Sequence, residues 1–297
     1  MKKAKSEVFC GAATALITPF ASGRIDYIAL ERLIERQIEA GIDALLINGT
    51  TGESSTLTNE ERKEMISFAV KIVGGRLPVL AGTGCNITES ALELSKFACD
   101  AGCDAVLVVT PYYNKANEQG LIEHYTTIAD NIDKPLILYN VPSRTGLNIP
   151  LSVYCQLARH ENIAGVKEAS SSISDFALLS GKCRDSLALY SGNDDMILPT
   201  LSLGGKGVIS VLSNLFPKEV RDMCALYSEG KTKEATELQL KFMPLIKALF
   251  CEVNPIPIKT AMAHLGLCQE EFRLPLCRMS EANRKKLFEA LYPYDLK

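Results

Sequence analysis

The chain has 297 residues, of which 47% are hydrophobic and 23% charged, and its formal net charge is −3. This composition is typical of a globular protein with a large core, and it argues against nucleic-acid or membrane binding, because there is no basic excess and no apolar run long enough to cross a bilayer. Ten cysteines are scattered without a Cys-x-x-Cys pair or a metal-ligand cluster, which indicates free thiols in a reducing, cytoplasmic compartment.

The N-terminus allows two interpretations. Three lysines within the first five residues precede the apolar stretch 8–17, as in a signal peptide. However, Ser6 and Glu7 interrupt this transition and no clear small-residue cleavage site follows. We therefore expect the stretch to form a first β-strand.

Short apolar runs alternate with helical patterns along most of the chain. Eight such runs are found, at 12–17, 44–47, 79–81, 105–109, 136–138, 163–166, 187–190 and 208–211. Because they are nearly continuous rather than alternating, they indicate a parallel sheet that is covered on both faces. Asp26, Thr58 and Thr88 are predicted N-caps of the first three intervening helices, with Glu61 completing a capping box around Thr58.

Eight β/α units predict a (β/α)8 TIM barrel. A doubly wound open sheet is the alternative, but no Gly-x-Gly-x-x-Gly follows the first strand. From about Pro217 onward only helical patterns occur, at 220–227, 232–249, 258–265 and 281–291. We therefore expect a catalytic barrel over residues 1–224 and a C-terminal all-helical domain over residues 225–297.

Lys167 ends the apolar run of the sixth predicted strand. An ammonium group buried at that position has a lowered pKa, so a free amine becomes available near neutral pH. A free amine is the group that Schiff-base chemistry on a carbonyl substrate requires. The alternative is a structural lysine whose head group extends to solvent.

Active sites of such barrels lie at the C-terminal ends of the strands, and here those positions carry hydroxyl groups. They are Thr18, Thr50, Thr51, Thr83, Thr110, Tyr139, Ser191 and Ser210. The three histidines, His124, His160 and His264, fall in helices or at helix ends. A metal-dependent aldolase is therefore disfavoured, and amine catalysis with proton relay is favoured.

Two loops carry further candidates. The Gly-Thr-Thr-Gly-Glu-Ser run at 49–54 follows the second strand, and its hydroxyl and N–H groups can hold a carboxylate or pass a proton. After the fifth strand, Tyr139 can move a proton near the lysine, and Arg144 can bind a substrate carboxylate with two hydrogen bonds. An ordinary turn, a core tyrosine and a solvated arginine are the corresponding structural interpretations.

These motifs together resemble the dihydrodipicolinate synthase (4-hydroxy-tetrahydrodipicolinate synthase) family, within the N-acetylneuraminate lyase superfamily of class I aldolases. The resemblance covers essentially the whole chain. It rests on the runs at 49–54, 111–114, 139–146, 165–170, 191–194, 207–211, 254–259 and 273–276.

The resemblance implies a role for each candidate. Lys167 would form the Schiff base with pyruvate, and Tyr139, Thr50 and Tyr113 would relay protons. Tyr113 would enter the site of a neighbouring subunit, which implies a homo-oligomer, at least a dimer and, as the family commonly forms, a tetramer.

The resemblance also implies the residues that bind substrate and the overall reaction. Thr51 would bind the pyruvate carboxylate, Gly192 and Ile209 would line the pocket, and Arg144 would hold the carboxylate of aspartate semialdehyde. The expected reaction condenses pyruvate with (S)-aspartate 4-semialdehyde to 4-hydroxy-tetrahydrodipicolinate, the first committed step of the diaminopimelate route to lysine. It needs no metal or organic cofactor besides the covalent imine.

Other functions remain open at this stage. An N-acetylneuraminate lyase or a keto-deoxy-sugar aldolase would share the lysine, the tyrosine and the threonine turn, whereas Arg144 favours the synthase. A non-catalytic barrel would be expected to have lost Lys167, Tyr139 or Thr50, and all three are present. The stretch 58–62 lacks the histidines typical of lysine-inhibited members, and the acidic residue Glu89 lies one place early. We therefore predict weak or absent inhibition by lysine.

Overall fold

Eight parallel strands close into a single barrel in the computed structural model, which describes residues 7–294. They are β1 to β8 in chain order: Gly11–Ala15, Ala44–Ile47, Val79–Gly82, Ala105–Val109, Leu136–Asn140, Ile163–Glu168, Ala188–Ser191 and Gly207–Ser210. Each strand pairs with its neighbours in sequence, and β1 also pairs with β8. The predicted (β/α)8 barrel is confirmed, and the open-sheet alternative is excluded because the sheet has no free edge.

Helices surround the barrel and continue beyond it. Within the described residues they are α1 to α12 in chain order: Tyr27–Glu39, Asn59–Val73, Thr88–Asp100, Glu118–Ala129, Pro142–Thr145, Leu151–Leu157, Ile173–Cys183, Ile197–Ser202, Pro217–Ser228, Thr232–Ala248, Ile256–His264 and Glu281–Leu291. A short hairpin, Phe20–Ala21 with Arg24–Ile25, lies between β1 and α1. None of the described helices is long and apolar enough to cross a membrane.

The apolar residues form two packed layers, which explains the continuous hydrophobicity of the strands. Inside the barrel, small residues such as Ala13 and Ala44 pack with larger ones such as Leu107 and Ile209. A second, larger cluster lies between the strands and the helices. Closure brings β1 and β8 very close together at Gly207, where a Cβ atom would lie 1.7 Å from the carbonyl oxygen of Gly11.

Two of the three predicted helix caps are confirmed. Asp26 Oδ1 accepts a hydrogen bond from the backbone N–H of Ala29, and Thr58 and Glu61 form the expected capping box. The predicted cap at Thr88 is wrong. Thr88 is the first residue of α3, and its hydroxyl lies 2.9 Å from His124 Nδ1 instead of capping the helix.

The C-terminal extension is helical as predicted, with its first helix, α9, beginning at Pro217. Helix α9 runs across the expected domain boundary at 224/225. At the other end of the chain, Gly11–Ala15 forms strand β1, while the three lysines of the signal-peptide interpretation lie outside the described residues.

Candidate active site

Lys167 is the penultimate residue of β6, at the C-terminal end of the barrel. Its neighbours in the sheet are Tyr139 on β5 and Tyr190 on β7. Only 5% of the residue is exposed, and its Nζ lies 4.5 Å from the centre of the Tyr139 ring. Strand β6, which is buried on both faces, therefore holds the Lys167 amine next to the Tyr139 phenol.

The surroundings of Lys167 favour a neutral amine. Burial lowers the pKa of this lysine, and the nearby Arg144 guanidinium lowers it further. Tyr139 and Asp194 act in the opposite direction. Asp194 is itself buried, and its Oδ2 accepts hydrogen bonds from the N–H groups of Val211 and Leu212 at 3.1 and 3.0 Å.

A cavity of about 540 Å³ opens at Lys167. Six of the eight candidates from the sequence line it: Thr50, Thr51, Tyr139, Arg144, Lys167 and Gly192. Part of its wall comes from Met243, Ile246 and Lys247 of α10. The C-terminal extension thus contributes directly to the cavity.

The threonine turn follows β2 and is stabilised by its own backbone. The Gly52 N–H donates to Gly49 O at 3.1 Å, and the Glu53 N–H donates to Thr50 O at 3.1 Å. Thr51 is buried, and its hydroxyl oxygen accepts a hydrogen bond from Asn254 Nδ2 at 3.0 Å. The turn therefore presents two threonines to the cavity in a constrained geometry.

Arg144 is an exposed residue of the short helix α5. Among the described residues, its guanidinium donates one hydrogen bond, from Nη2 to the carbonyl oxygen of Asn254 at 3.2 Å. Its remaining N–H groups can bind a carboxylate at the cavity.

Gly192 has no room for a side chain, mainly because of its contact with Ala169. A Cβ atom there would lie 2.7 Å from Ala169 Cβ and 3.2 Å from Lys167 Cε. The Gly192 N–H donates to the carbonyl oxygen of Glu168 at 2.7 Å, which holds the loop after β7 against β6. The glycine thus leaves room for the lysine side chain.

Two candidates do not line the cavity of the single chain. Ile209 is fully buried in the cluster inside the barrel, and Val211, two residues later, lines the cavity instead. Tyr113 is 94% exposed and has a positive φ of 61°. Its neighbour Tyr112 is held at both backbone polar groups by the side chain of Asn86, at 2.6 and 2.7 Å.

The histidines have structural surroundings. Burial lowers the pKa of His124 to about 4, His160 Nε2 lies 2.8 Å from Asp130 Oδ1, and His264 stacks on Phe288. Within residues 7–294, no three side chains of His, Cys, Asp or Glu come together to hold a metal.

Sequence reasoning assigned no role to Asn254 or to helix α10. Residues 254–259 belong to a run that carries the family resemblance, and this was the signal that could have drawn attention to Asn254. Helix α10 has an ordinary helical pattern, so nothing local in its sequence indicates that it lines a cavity.

A (β/α)8 barrel with a buried lysine beside a tyrosine at the strand ends defines the class of Schiff-base aldolases. Within this class, the chain belongs to the dihydrodipicolinate synthetase family, whose family model matches residues 8–292.

Individual relatives agree with this assignment. The 4-hydroxy-tetrahydrodipicolinate synthase of Clostridium novyi is 50% identical, with 97% of each chain covered. The crystal structure of dihydrodipicolinate synthase from Aquifex aeolicus is 46% identical, with a TM-score of 0.95 over 97% of this chain and 99% of that one. A structure described as a monomeric dihydrodipicolinate synthase variant is 41% identical, with a TM-score of 0.95 and 98% of each chain covered.

Proposed function

We propose that this chain condenses pyruvate with (S)-aspartate 4-semialdehyde to give 4-hydroxy-tetrahydrodipicolinate, through a Schiff base on Lys167. The observation that carries the proposal is the buried Lys167 beside Tyr139, in a cavity of a chain that belongs to this family. The reaction is the first committed step of the diaminopimelate route to lysine.

The first half-reaction activates pyruvate. The neutral Lys167 amine attacks the ketone carbon, and loss of water leaves a protonated imine. Thr51 binds the pyruvate carboxylate, while Gly192 and the region of Ile209 give shape to the pocket. The imine withdraws electrons, so a methyl proton departs and an enamine forms, with Tyr139, Thr50 and Tyr113 relaying protons.

The second half-reaction forms the carbon–carbon bond. Arg144 holds the carboxylate of aspartate semialdehyde, and the enamine carbon attacks its aldehyde, whose oxygen becomes the product hydroxyl. The amine of this substrate then attacks the imine carbon and displaces Lys167. This step regenerates the free Lys167 side chain, and the reaction needs no metal or organic cofactor.

Trapping with borohydride tests the first half-reaction. Reduction in the presence of pyruvate should add the pyruvyl group to Lys167, and Lys167→Ala should abolish the adduct. A wild-type Lys167 peptide that stays unmodified would contradict the mechanism.

A substrate panel distinguishes this function from its relatives. Aspartate semialdehyde, N-acetylmannosamine and glyceraldehyde would each be offered together with pyruvate. Of these three aldehydes, we expect only aspartate semialdehyde to be turned over. Faster turnover of N-acetylmannosamine would instead support an N-acetylneuraminate lyase, and faster turnover of glyceraldehyde would support a keto-deoxy-sugar aldolase. A chain that forms no adduct and turns over none of the three would be a non-catalytic barrel.

Arg144 provides a second test. Arg144→Ala should leave adduct formation by pyruvate intact and lower kcat/KM for aspartate semialdehyde by at least about 100-fold, because a charge-assisted carboxylate contact is lost. Arg159→Ala, at an exposed arginine outside the cavity, is the matched control. Retention of full activity by Arg144→Ala would remove the carboxylate-binding role.

The assembly and setting of the protein are part of the proposal. Tyr113 is 94% exposed and lies at positive φ, a backbone conformation that is strained for a tyrosine, which supports insertion of its side chain into a partner subunit. The protein would act as a homo-oligomer, at least a dimer and commonly a tetramer, in the cytoplasm. We also propose the division into a barrel (1–224) and a helical domain (225–297).

A further inference from the structure

Asn254 connects two residues that bind carboxylates in the proposed function. It lies between α10 and α11 in the C-terminal extension and is 6% exposed. Its Nδ2 donates to Thr51 Oγ1 at 3.0 Å, and its backbone carbonyl accepts from Arg144 Nη2 at 3.2 Å. These partners lie 203 and 110 positions away in the chain.

The direction of the first hydrogen bond determines what Thr51 can do. A hydroxyl group has one hydrogen to donate and two lone pairs that can accept. Because the Asn254 amide donates to the Thr51 oxygen, the hydroxyl hydrogen stays free to donate elsewhere. A carboxylate only accepts hydrogen bonds, so the contact prepares Thr51 for an anionic ligand.

The other half of the Asn254 side-chain amide is its carbonyl oxygen, Oδ1. Asn254 Oδ1 is buried and has no hydrogen-bond partner among the described residues. A buried unpaired acceptor is unfavourable, and a leucine of similar shape would fill the space without that penalty. Stability alone therefore does not account for an asparagine here.

A second contact anchors the segment around Asn254 to the threonine turn after β2. Lys259 Nζ lies 2.6 Å from Glu53 Oε1, and both side chains are fully buried. Arg273, also in the extension, donates from its backbone N–H to Glu53 Oε2 at 3.5 Å. The buried ion pair therefore joins helix α11, which follows Asn254, to the turn that contains Thr51.

We propose that Asn254 is a positioning residue, which orients the Thr51 hydroxyl toward the pyruvate carboxylate and, through its carbonyl, sets the place of Arg144. The inference rests on the proposed function, since it assumes that Thr51 binds pyruvate. It assigns the C-terminal extension a part in substrate binding.

Asn254→Leu tests the inference, with pyruvate-dependent borohydride trapping at Lys167 as the readout. The pyruvate concentration for half-maximal trapping should rise about tenfold, because one hydrogen bond that orients Thr51 is lost. The thermal midpoint should stay within about 2 °C of wild type. KM for aspartate semialdehyde should change little, since the backbone carbonyl that holds Arg144 is retained.

Val253→Ala is the matched control, because Val253 is the exposed neighbour of Asn254 and does not line the cavity. It should bind pyruvate like wild type. The double variant Thr51→Val with Asn254→Leu should be no worse than Thr51→Val alone, because the asparagine acts through the threonine.

Asn254→Asp serves as a second variant if the leucine protein does not fold. At pH 8 its carboxylate would accept the Thr51 hydroxyl hydrogen and repel pyruvate, so the loss should exceed tenfold. Unchanged half-saturation, additive losses in the double variant, or a loss that parallels a lower thermal midpoint would each overturn the inference. A wild-type protein that forms no adduct would instead overturn the proposed function on which the inference rests.

Discussion

Lys167 combines burial with charges that act in opposite directions. Its surroundings lower its pKa through desolvation and through Arg144, while Tyr139 and Asp194 limit the effect. The neutral amine is therefore available below the ordinary lysine pKa of about 10.4, while Tyr139 and Asp194 favour positive charge on the same nitrogen, as a protonated imine carries.

The pH dependence of trapping follows from these signs. The initial rate of pyruvate trapping should rise with pH and reach its plateau below the ordinary lysine pKa, because only the neutral amine attacks. Arg144→Ala should shift the midpoint upward, since it removes a positive charge that lowers the pKa, and Asp194→Asn should shift it downward. Trapping rates measured from pH 6 to 10 check both directions, and equal midpoints in all three proteins would contradict the electrostatic argument.

For individual residues, the sequence could identify the reactive side chains but not all of their contacts. Lys167, Tyr139 and Arg144 stand out because they follow apolar strands. Asn254 touches Thr51 across 203 positions, and no local pattern encodes such a contact. The wrong cap at Thr88 has a similar cause, because its hydroxyl is paired with a histidine on the next helix.

Among the elements, the strands and the C-terminal helices were predictable because their apolar patterns are strong. Strand ends differ by up to two residues, since polar residues such as Asn140 and Glu168 continue the ladder beyond the apolar run. Asn140 Nδ2 donates to the Glu168 carboxylate, which also accepts from Tyr154 Oη at 2.9 Å. These contacts depend on the register of two neighbouring strands and on a helix packed beside them, and they have no periodic signature.

The contact between the threonine turn and the extension can be tested through stability. Lys259→Met should lower the free energy of unfolding by about 3–5 kcal/mol, because Glu53 would remain as a buried unpaired charge. Lys285→Met, at a largely exposed lysine, is the control and should have little effect. Urea unfolding midpoints measure the difference, and adding Glu53→Gln to Lys259→Met should recover much of the loss. A single variant as stable as wild type would show that the pair is not essential.

Helix α2 bears on regulation. Its first turn carries Glu61, which forms two hydrogen bonds with Arg273 at 2.6 and 2.7 Å besides completing the capping box. These contacts use the polar groups of the stretch 58–62 for structure, and the stretch contains no histidine. Activity should therefore persist in millimolar L-lysine, and a dose-dependent fall in initial rate would contradict the prediction.

At the scale of the whole molecule, Tyr113 makes the single chain incomplete in the proposed mechanism. If each subunit supplies this tyrosine to its partner, Tyr113→Phe and Lys167→Ala proteins should each be nearly inactive alone. Mixed dimers would contain one site with an intact lysine and an intact partner tyrosine. Co-expression of the two variants should therefore restore up to about a quarter of wild-type activity for random pairing. No recovery in a purified mixed dimer would exclude a shared site.

The ion pair between Glu53 and Lys259 also sets an order of events during synthesis. The two residues are 206 positions apart, so at about 5–20 residues per second the ribosome adds the lysine about 10–40 s after the glutamate. By that time the strands of the barrel have been synthesised, but Glu53 still lacks Lys259 as its ion-pair partner and Thr51 lacks the contact with Asn254. A nascent chain would therefore acquire its lysine nucleophile well before the contacts of its threonine turn are complete, and full affinity for pyruvate would arrive only with the last part of the polypeptide.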